Sequence, residues 1–337
     1  MRIAVTGSIA EDYLMTFDGA FSEVIVPEEI NNLSLSFLVN DLTVQRGGVA
    51  ANICFGLGVL GLRPLLVGAV GSDFRLSYER WLAEHGVDTT PVRVSQEQHT
   101  ARFLCTTDGE ENQIASFYPG AMSEASHIDL GKVAEEHGGI DLVLIGANDP
   151  DAMLRHRHDA DAAGLPVIAD PSQQLAMLDG PQVRTLVDGA SYLVSNEYEA
   201  SLLQQRTGWS DEEVLDRVDT RITTRSEKGC VIERTGEPPL EVPAVPAEKV
   251  LDPTGVGDAF RAGFLAGLSD DHGLERSAQL GSLIAVHAVE ANGPQSYAIE
   301  RDGALERFSQ TYGPDAAEQI SPTLDRLADR PAETESA

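Results

Sequence analysis

The second half of the chain alternates short apolar runs with segments of helical periodicity, and this alternation restricts the possible folds more than any other feature. The runs are short enough for buried strands, and the segments between them space their apolar residues as helices do. They give strands at 142–145, 167–169 and 192–194, and helices near 150–163, near 173–187 and from Glu197. Such alternation builds βαβ units. The sequence therefore predicts an α/β fold with a mainly parallel sheet covered by helices on both faces.

The first part of the chain adds a second β-rich element. Residues 3–6 suit an interior strand of the main sheet, whereas 17–42 show irregular apolar spacing typical of strands and loops. Two further β segments, 102–106 and 113–117, flank a polar turn. The predicted organisation is one domain over 1–328, a small β lid from about 12–45 and 95–120 that closes over a substrate, and a disordered tail over 329–337.

A glycine-rich segment, Asp-Pro-Thr-Gly-Val-Gly-Asp-Ala-Phe at 252–260, leads into an apolar helix that starts near Val256. The first N–H groups of a helix lack intrahelical partners and carry partial positive charge, and glycines let an anion approach them. Asp258 lies in this first turn, where its carboxylate would repel a bound phosphate. We therefore expect it to accept the proton of a hydroxyl that attacks a phosphoryl group. The alternative is ordinary capping of a helix start.

This segment resembles the C-terminal signature of the ribokinase-like (PfkB) family of carbohydrate and nucleoside kinases, departing from it at Pro253 and Val256. The stretch Gly-Gly-Val-Ala-Ala-Asn at 47–52, with Leu60 and Gly61 further on, resembles the N-terminal signature of the same family. The resemblance implies a three-layer αβα fold and Asp258 as the catalytic base. It also implies phosphoryl contacts from the N–H groups of Gly255, Val256 and Gly257, and contacts of Gly48 and Asn52 with the accepting sugar.

Two more stretches resemble the nucleotide side of that family. Asn196 and Glu199 match an Asn-x-x-Glu motif, which implies contacts with Mg²⁺ through its water ligands. On local grounds the pair equally suits an N-cap followed by an acidic first turn. Residues 223–229 resemble the segment around the nucleotide, which implies ATP as co-substrate near Asn196, Thr224, Lys228 and Gly229. For Lys228, a place on a solvated turn is the alternative. A requirement for K⁺ stays open.

Several longer stretches resemble one branch of the family, the bacterial, actinobacterial-type adenosine kinases. They are residues 4–10, 34–39, 99–103, 114–124 and 169–175. The resemblance implies a nucleoside pocket in which Asp12 binds the ribose diol with Ser8 and Ser36 nearby, Phe103 and Phe117 flank the purine, and Gln173 lies near it. Met177 stands where those relatives carry Arg. For the two phenylalanines, plain packing within the lid is the alternative.

Composition restricts the partners. The chain has 24 Lys and Arg against 54 Asp and Glu, a net charge of −30, so duplex nucleic acid would be repelled. This acidity suits either a salty cytoplasm or an ordinary acidic protein poor in lysine. Cys54, Cys105 and Cys230 are widely spaced and predict neither a disulfide framework nor a zinc site. With neither a signal-peptide pattern nor a long apolar run, we expect a cytoplasmic protein without a membrane partner.

The resemblance therefore implies an adenosine kinase, which transfers a phosphoryl group from ATP to the 5′-hydroxyl of adenosine in purine salvage. A fructose or ribose kinase of the same fold would share Asp258 but would not need two aromatic side chains facing a base. A nucleoside-binding protein without transfer activity would be expected to have a broken Gly-x-Gly-Asp motif, and here the motif is intact. The exposed strands of the lid could also pair with a second copy, giving a homodimer.

Overall fold

The computed structural model describes residues 1–25 and 35–327. Its strands are β1 (Ile3–Thr6), β2 (Ala10–Phe17), β3 (Asp41–Gly47), β4 (Leu65–Val67), β5 (Ala69–Val70), β6 (Arg93–Val94), β7 (Ala101–Asp108), β8 (Gln113–Tyr118), β9 (Leu142–Ile145), β10 (Val167–Ala169), β11 (Tyr192–Asn196), β12 (Thr220–Thr224), β13 (Cys230–Glu233) and β14 (Leu240–Val242). Its helices are α1 (Phe21–Val24), α2 (Val49–Val59), α3 (Tyr78–Glu84), α4 (Leu130–Glu136), α5 (Pro150–Ala162), α6 (Gly180–Val187), α7 (Glu197–Thr207), α8 (Asp211–Leu215), α9 (Val256–Ser269), α10 (Gly273–Val289), α11 (Arg301–Tyr312) and α12 (Pro314–Leu324).

The main sheet has the strand order β14-β13-β12-β11-β10-β9-β1-β4, in which β12 to β4 run parallel and β13 and β14 are antiparallel. Residues 3–6 and 142–145 are buried along their whole length. Because successive side chains of a strand point to opposite faces, Val5 packs into one hydrophobic cluster and Ala4 into the other. Helices α2, α9 and α10 contribute to the first cluster, and α4, α5 and α6 to the second.

This arrangement confirms the predicted ribokinase-like α/β fold with a mainly parallel central sheet. The helical region near 173–187 divides into a 3-10 turn, Ser172–Ala176, and α6. The division follows from a capping box. The Asp179 side chain accepts from the N–H of Gln182, and the Gln182 side chain accepts from the N–H of Asp179, both at 2.9 Å, so a new helix begins there.

A separate four-stranded sheet has the order β3-β2-β7-β8, with β2 and β7 parallel and the other pairs antiparallel. Its strands come from the two stretches that the sequence assigns to a lid. Residues 26–34 of the first stretch and the predicted tail lie outside the described residues. The division into one domain, lid and tail therefore stays a prediction. Within the described residues, no helix is both long and apolar enough to cross a membrane.

His156 is fully buried on α5 and joins the end of β1 to the 3-10 segment Gly120–His127. Its Nε2 lies 3.1 Å from the carbonyl oxygen of Ala125 and its Nδ1 lies 2.5 Å from Thr6 Oγ1. A carbonyl only accepts, so Nε2 carries the proton and Nδ1 accepts from the Thr6 hydroxyl. Burial lowers the pKa of His156 from 6.5 to about 4.

The folded protein should therefore lose stability in mild acid. Between about pH 6.5 and 4, His156 is protonated in the unfolded chain but stays neutral in the folded chain. The free energy of unfolding therefore falls as pH drops through this range. We expect urea denaturation to show this loss in the wild type and a shallower one in H156Q, which keeps a hydrogen-bonding side chain but does not titrate. Equal pH slopes for the two proteins would contradict the assignment.

Candidate active site

A cleft of about 700 Å³ lies between the main sheet and the four-stranded sheet. On the main-sheet side its wall includes Ser8, Ala147, Ser172, Asn196 and Thr224, which end or follow β1, β9, β10, β11 and β12. The carboxyl ends of parallel strands therefore meet at this wall, where open α/β sheets bind their ligands. A second cavity, of about 650 Å³, lies at the amino ends of β11 and β12 and contains none of the predicted site residues.

The amino terminus of α9 points into the cleft and carries Asp258 in its first turn. Gly255, the N-cap, has a φ of +74°, a left-handed conformation that favours glycine. The N–H of Gly257 makes no hydrogen bond with any described residue. The N–H of Val256 makes a long contact of 3.4 Å with the carbonyl of Pro253. The surrounding protein raises the pKa of Asp258 to about 7, chiefly by removing water from the carboxyl group.

A chain of hydrogen bonds fixes the Asp258 carboxylate from behind. Asn52 Nδ2 donates to Asp258 Oδ2 at 2.8 Å, and Gln295 Nε2 donates to Asn52 Oδ1 at 2.9 Å. The same Gln295 nitrogen donates to the Tyr78 hydroxyl at 2.6 Å, and that hydroxyl donates to the carbonyl of Gly47 at 2.7 Å. The amide of Asn52 is thereby oriented with its nitrogen towards the carboxylate. Sequence reasoning missed Gln295 and Tyr78, which lie outside both motifs.

Four side chains cross the four-stranded sheet in one row and face the cleft. Asp12 is paired in register with Gln45 on β3 and with Phe103 on β7, and Phe103 is paired with Phe117 on β8. Residues directly opposite each other in a sheet project from the same face, and all four line the cleft. Burial, and next the neighbouring charge of Asp252, raise the pKa of Asp12 to about 6. The sequence did not single out Gln45, which only the strand register identifies.

Some of the residues predicted to contact the nucleotide lie on the wall of the cleft. Asn196, Glu199 and Thr224 line the cleft. Asn196 Oδ1 accepts from the N–H of Glu199 and Glu199 Oε2 accepts from the N–H of Asn196, both at 2.8 Å, so the capping alternative is present as well. Burial raises the pKa of Glu199. Gln173 also lines the cleft.

The structure does not bring every predicted residue to the cleft wall. Ser36 is exposed, and so is Lys228, which lies on the 3-10 turn Ser226–Lys228. Gly229 has a φ of +89°, and a Cβ there would come within 2.0 Å of the carbonyl oxygen of Val242, so its backbone packs tightly against β14. Val256 is also absent from the wall of the cleft. These four residues are the part of the predicted site that the cleft geometry does not support directly.

A buried ion pair lies beneath the cleft and was not predicted. Arg261 Nη2 donates to Asp170 Oδ1 at 2.6 Å, Arg261 Nε contacts Asp170 Oδ2, and Ser172 Oγ donates to Asp170 Oδ1 at 2.7 Å. Asp170 follows β10, and Arg261 lies one turn beyond Asp258 on α9. Both side chains are almost completely buried. Only the packing of α9 against the sheet brings them together, so no local sequence pattern could identify the pair.

The residues fit Mg²⁺ as a metal that arrives with a nucleotide. Among the residues that the structure describes, no three His, Cys, Asp or Glu side chains form a group able to hold a metal ion. Mg²⁺ in phosphoryl-transfer sites usually keeps several waters and takes only one or two carboxylates in addition to phosphate oxygens. The amide oxygen of Asn196 and the carboxylate of Glu199 are hard oxygen donors of this kind on the cleft wall.

Comparison with known proteins agrees with this geometry. The nucleoside kinase of Methanocaldococcus jannaschii is 31% identical over 92% of this chain and 97% of its own length. The ribokinase of Bacillus subtilis is 26% identical over 91% of this chain and 99% of its own. The structure of Burkholderia thailandensis nucleoside kinase in complex with inosine matches at 35% identity with a TM-score of 0.81, covering 92% of this chain and 99% of that one. Its complex with ADP-inosine matches at 36% identity with a TM-score of 0.77 over 92% and 96%.

An acidic residue at the amino end of a helix, in a cleft between a parallel α/β sheet and a smaller β-sheet, defines a ribokinase-like kinase of small molecules. The chain belongs to the pfkB family of carbohydrate kinases, whose model matches residues 12–301. It is an ATP-dependent kinase that acts on nucleosides or sugars. The resemblance to actinobacterial-type adenosine kinases was too narrow, because the relatives described above are archaeal and bacterial nucleoside kinases and a ribokinase.

Proposed function

We propose that this kinase transfers the γ-phosphoryl group of ATP to the 5′-hydroxyl of a purine nucleoside, with adenosine as the first candidate. The observation that carries the proposal is the row across the four-stranded sheet. It places a carboxylate, Asp12, beside two aromatic rings, Phe103 and Phe117, on the wall of the cleft that holds Asp258. A ribose diol needs a hydrogen-bond acceptor and a purine needs flat apolar surface, whereas a free sugar needs only the first.

In this proposal the nucleoside lies along the row. Asp12 accepts hydrogen bonds from the ribose diol, and the glycine backbone at Gly48 together with Ser8 and Asn52 completes the sugar contacts. Phe103 and Phe117 contact the two faces of the base, and Gln173 offers an amide to its edge. Ser36 belongs to the same predicted set although it is exposed here. The 5′-hydroxyl then faces the free oxygen of Asp258, because Oδ2 is already bound by Asn52.

The transfer itself is an in-line displacement. The 5′-oxygen bonds to the γ-phosphorus while the bond from that phosphorus to the β,γ-bridging oxygen breaks, ADP leaves, and Asp258 takes the hydroxyl proton. The N–H groups of Gly255, Val256 and Gly257 stabilise the negative charge of the transferring group. When bound, Mg²⁺ would neutralise phosphate charge, held through water by Asn196 and Glu199. ATP lies along Asn196 and Thr224, with Lys228 and Gly229 on the turn beyond β12.

The test is ATP consumption by the purified protein in Mg²⁺ buffer with adenosine, guanosine, inosine, ribose and fructose offered separately. Each acceptor is assayed at low and at molar KCl, because an acidic chain can unfold through self-repulsion at low salt. We expect turnover with purine nucleosides, adenosine above all, and much less with either sugar. F103L and F117L should raise the nucleoside KM and leave any sugar KM unchanged. Preference for a free sugar would overturn the proposal.

The second candidate is a sugar kinase, which the similarity to the Bacillus subtilis ribokinase favours. The same assay separates the two because the sugars are offered without a base. A nucleoside-binding protein without transfer activity would be silent with all five acceptors at both salt concentrations. Because the proposed donor is ATP, the cytoplasm is the expected compartment.

We also propose a homodimer formed through the smaller sheet. Strands β3 and β8 are its edges, and unpaired edge strands present free N–H and C=O groups to a second copy. Both strands also expose apolar side chains outside the cleft-facing row, namely Leu42, Val44, Ile114 and Tyr118. Two sheets joined in this way would bury those side chains, and the closed lid would then be shared between the subunits.

A further inference from the structure

The cleft has one basic side chain among the described residues that line it, and that side chain is Arg261. The same wall carries the carboxyl groups of Asp12, Glu199 and Asp258, and the whole chain has a net charge of −30. A nucleoside triphosphate entering this cleft therefore meets mostly negative charge. Apart from the Mg²⁺ that would arrive with the nucleotide, backbone N–H groups must offset that repulsion without another cation of the cleft wall unless Arg261 contributes.

The ion pair with Asp170 leaves one nitrogen of Arg261 free. Asp170 takes the Nε side of the guanidinium in a two-point contact, and Nη1 makes no hydrogen bond with any described residue. A guanidinium is planar and rigid, so fixing one edge also fixes the direction of the opposite nitrogen. Arg261 is 6% exposed and lines the cleft. The N–H groups of Nη1 can therefore donate hydrogen bonds to a molecule bound in the cleft.

The position of Nη1 is set by the helix. Side chains on a helix incline towards its amino terminus, so Arg261 extends back along α9 towards the turn that carries Asp258. A Cβ at Gly257 would come within 2.9 Å of Nη1, so the guanidinium lies directly against the first turn of the helix. There Nη1 and the free N–H of Gly257 are neighbours. A side-chain donor and a backbone donor therefore lie at the same turn, at the end of α9 where an anion would bind.

We infer that Arg261 Nη1 donates a hydrogen bond to the γ-phosphoryl group during transfer, and that Asp170 is the positioning residue that aims it. The inference rests on the proposed phosphoryl transfer. As the bond to the leaving ADP oxygen breaks and the bond from the acceptor oxygen forms, negative charge spreads over the equatorial oxygens of the transferring group. Arg261 stabilises that charge, and Asp258 takes the acceptor proton. Asp170 keeps its own charge paired throughout.

The first test is the double variant D170N/R261M, which removes both charges together and so leaves no unpaired buried ion. The buried Arg157 of α5, paired with Asp161 far from the cleft, supplies the control R157M. We expect kcat of the double variant to fall about 10²-fold with nucleoside binding, measured without ATP, changed less than about threefold. R157M should keep kcat. Retention of kcat in a folded double variant, or loss of nucleoside binding along with kcat, would assign the pair a structural role only.

The second test uses R261A, which must first be shown to fold because it leaves Asp170 as an unpaired buried carboxylate. In R261A the side chain is removed, and guanidinium chloride at low millimolar concentration is added to the assay, with urea as a neutral molecule of similar shape. Recovery of turnover with guanidinium and not with urea supports a contact with the phosphoryl group. No recovery, or equal effects of both compounds, overturns it. A merely structural arginine would not distinguish the two additives.

Wild-type turnover separates this inference from the proposed function. If the wild type phosphorylates a free sugar instead of a nucleoside, the nucleoside assignment fails while Arg261 is tested with that sugar. If the wild type is silent with every acceptor, both fail together. If the wild type turns over nucleosides and the variants match it, only the inference about Arg261 fails.

Discussion

Replacing Asp258 with Asn should lower kcat by about 10²–10⁴-fold while nucleoside binding stays close to that of the wild type. Asparagine has the same shape, and its carbonyl oxygen can still accept from Asn52 Nδ2, which now lies 2.8 Å from Asp258 Oδ2. The substitution removes the negative charge of the carboxylate and with it the ability to take a proton. Single-turnover measurement of phosphoryl transfer, with nucleoside binding measured separately, tests this directly.

The pH profile gives D258N a second readout. A base must be deprotonated to act, so kcat/KM of the wild type should rise with pH and level off above the raised Asp258 pKa of about 7. The variant should lack that rise and keep only a low, flatter rate. A variant that retained more than about a tenth of wild-type turnover, or the same pH profile, would show that Asp258 is not the base.

Replacing Gly255 with Ala should lower kcat about 10³-fold. Gly255 has a φ of +74°, and an added Cβ would come within 2.4 Å of the Pro294 side chain, so the loop before α9 must shift. That loop carries the N–H groups that we propose as phosphoryl contacts, and a displacement of about 1 Å is enough to weaken an oriented catalytic contact greatly. The left-handed conformation adds a stability cost of about 1–2 kcal/mol for alanine.

Gly208 supplies a matched control for this variant. It has a φ of +73° at the end of α7, and an added Cβ there meets no atom within 4 Å. G208A therefore carries the same conformational cost without the clash or the site. We expect both variants to lower the melting temperature and only G255A to lose turnover. Equal kcat values for the two would mean that the exact position of this loop is unimportant for transfer.

The fold was largely predictable because its determinants are local. Buried strands such as 142–145 and the helix after Val256 are marked by apolar periodicity, and glycine with an early acidic residue marks the start of α9. Asp258 and Asn52 could be selected for the same reason, since each lies in a short segment with a recognisable pattern. Their mutual hydrogen bond could not be predicted, because 206 positions separate them.

The rest of the site depends on long-range packing. Gln45 faces the cleft only because β3 pairs with β2 in one register, and a shift of one residue would turn it to the other face. Arg261 and Asp170 meet only when α9 packs against the sheet. Lys228 was selected by resemblance and is exposed on a turn, so its contact with the nucleotide stays a prediction. In each case the missing information is the relative placement of elements, which local patterns do not contain.

The hydrogen bonds behind Asp258 have a consequence for how the enzyme matures. They run through Gln295, which follows α10, and through Tyr78 and Asn52 from the first third of the chain. During synthesis a chain that has emerged only as far as α9 already contains Asp258 but lacks the residue that orients the Asn52 amide. The proposed base is therefore fixed in place only after the segment beyond α10 has been made and packed, and we expect phosphoryl transfer to begin only near the end of folding.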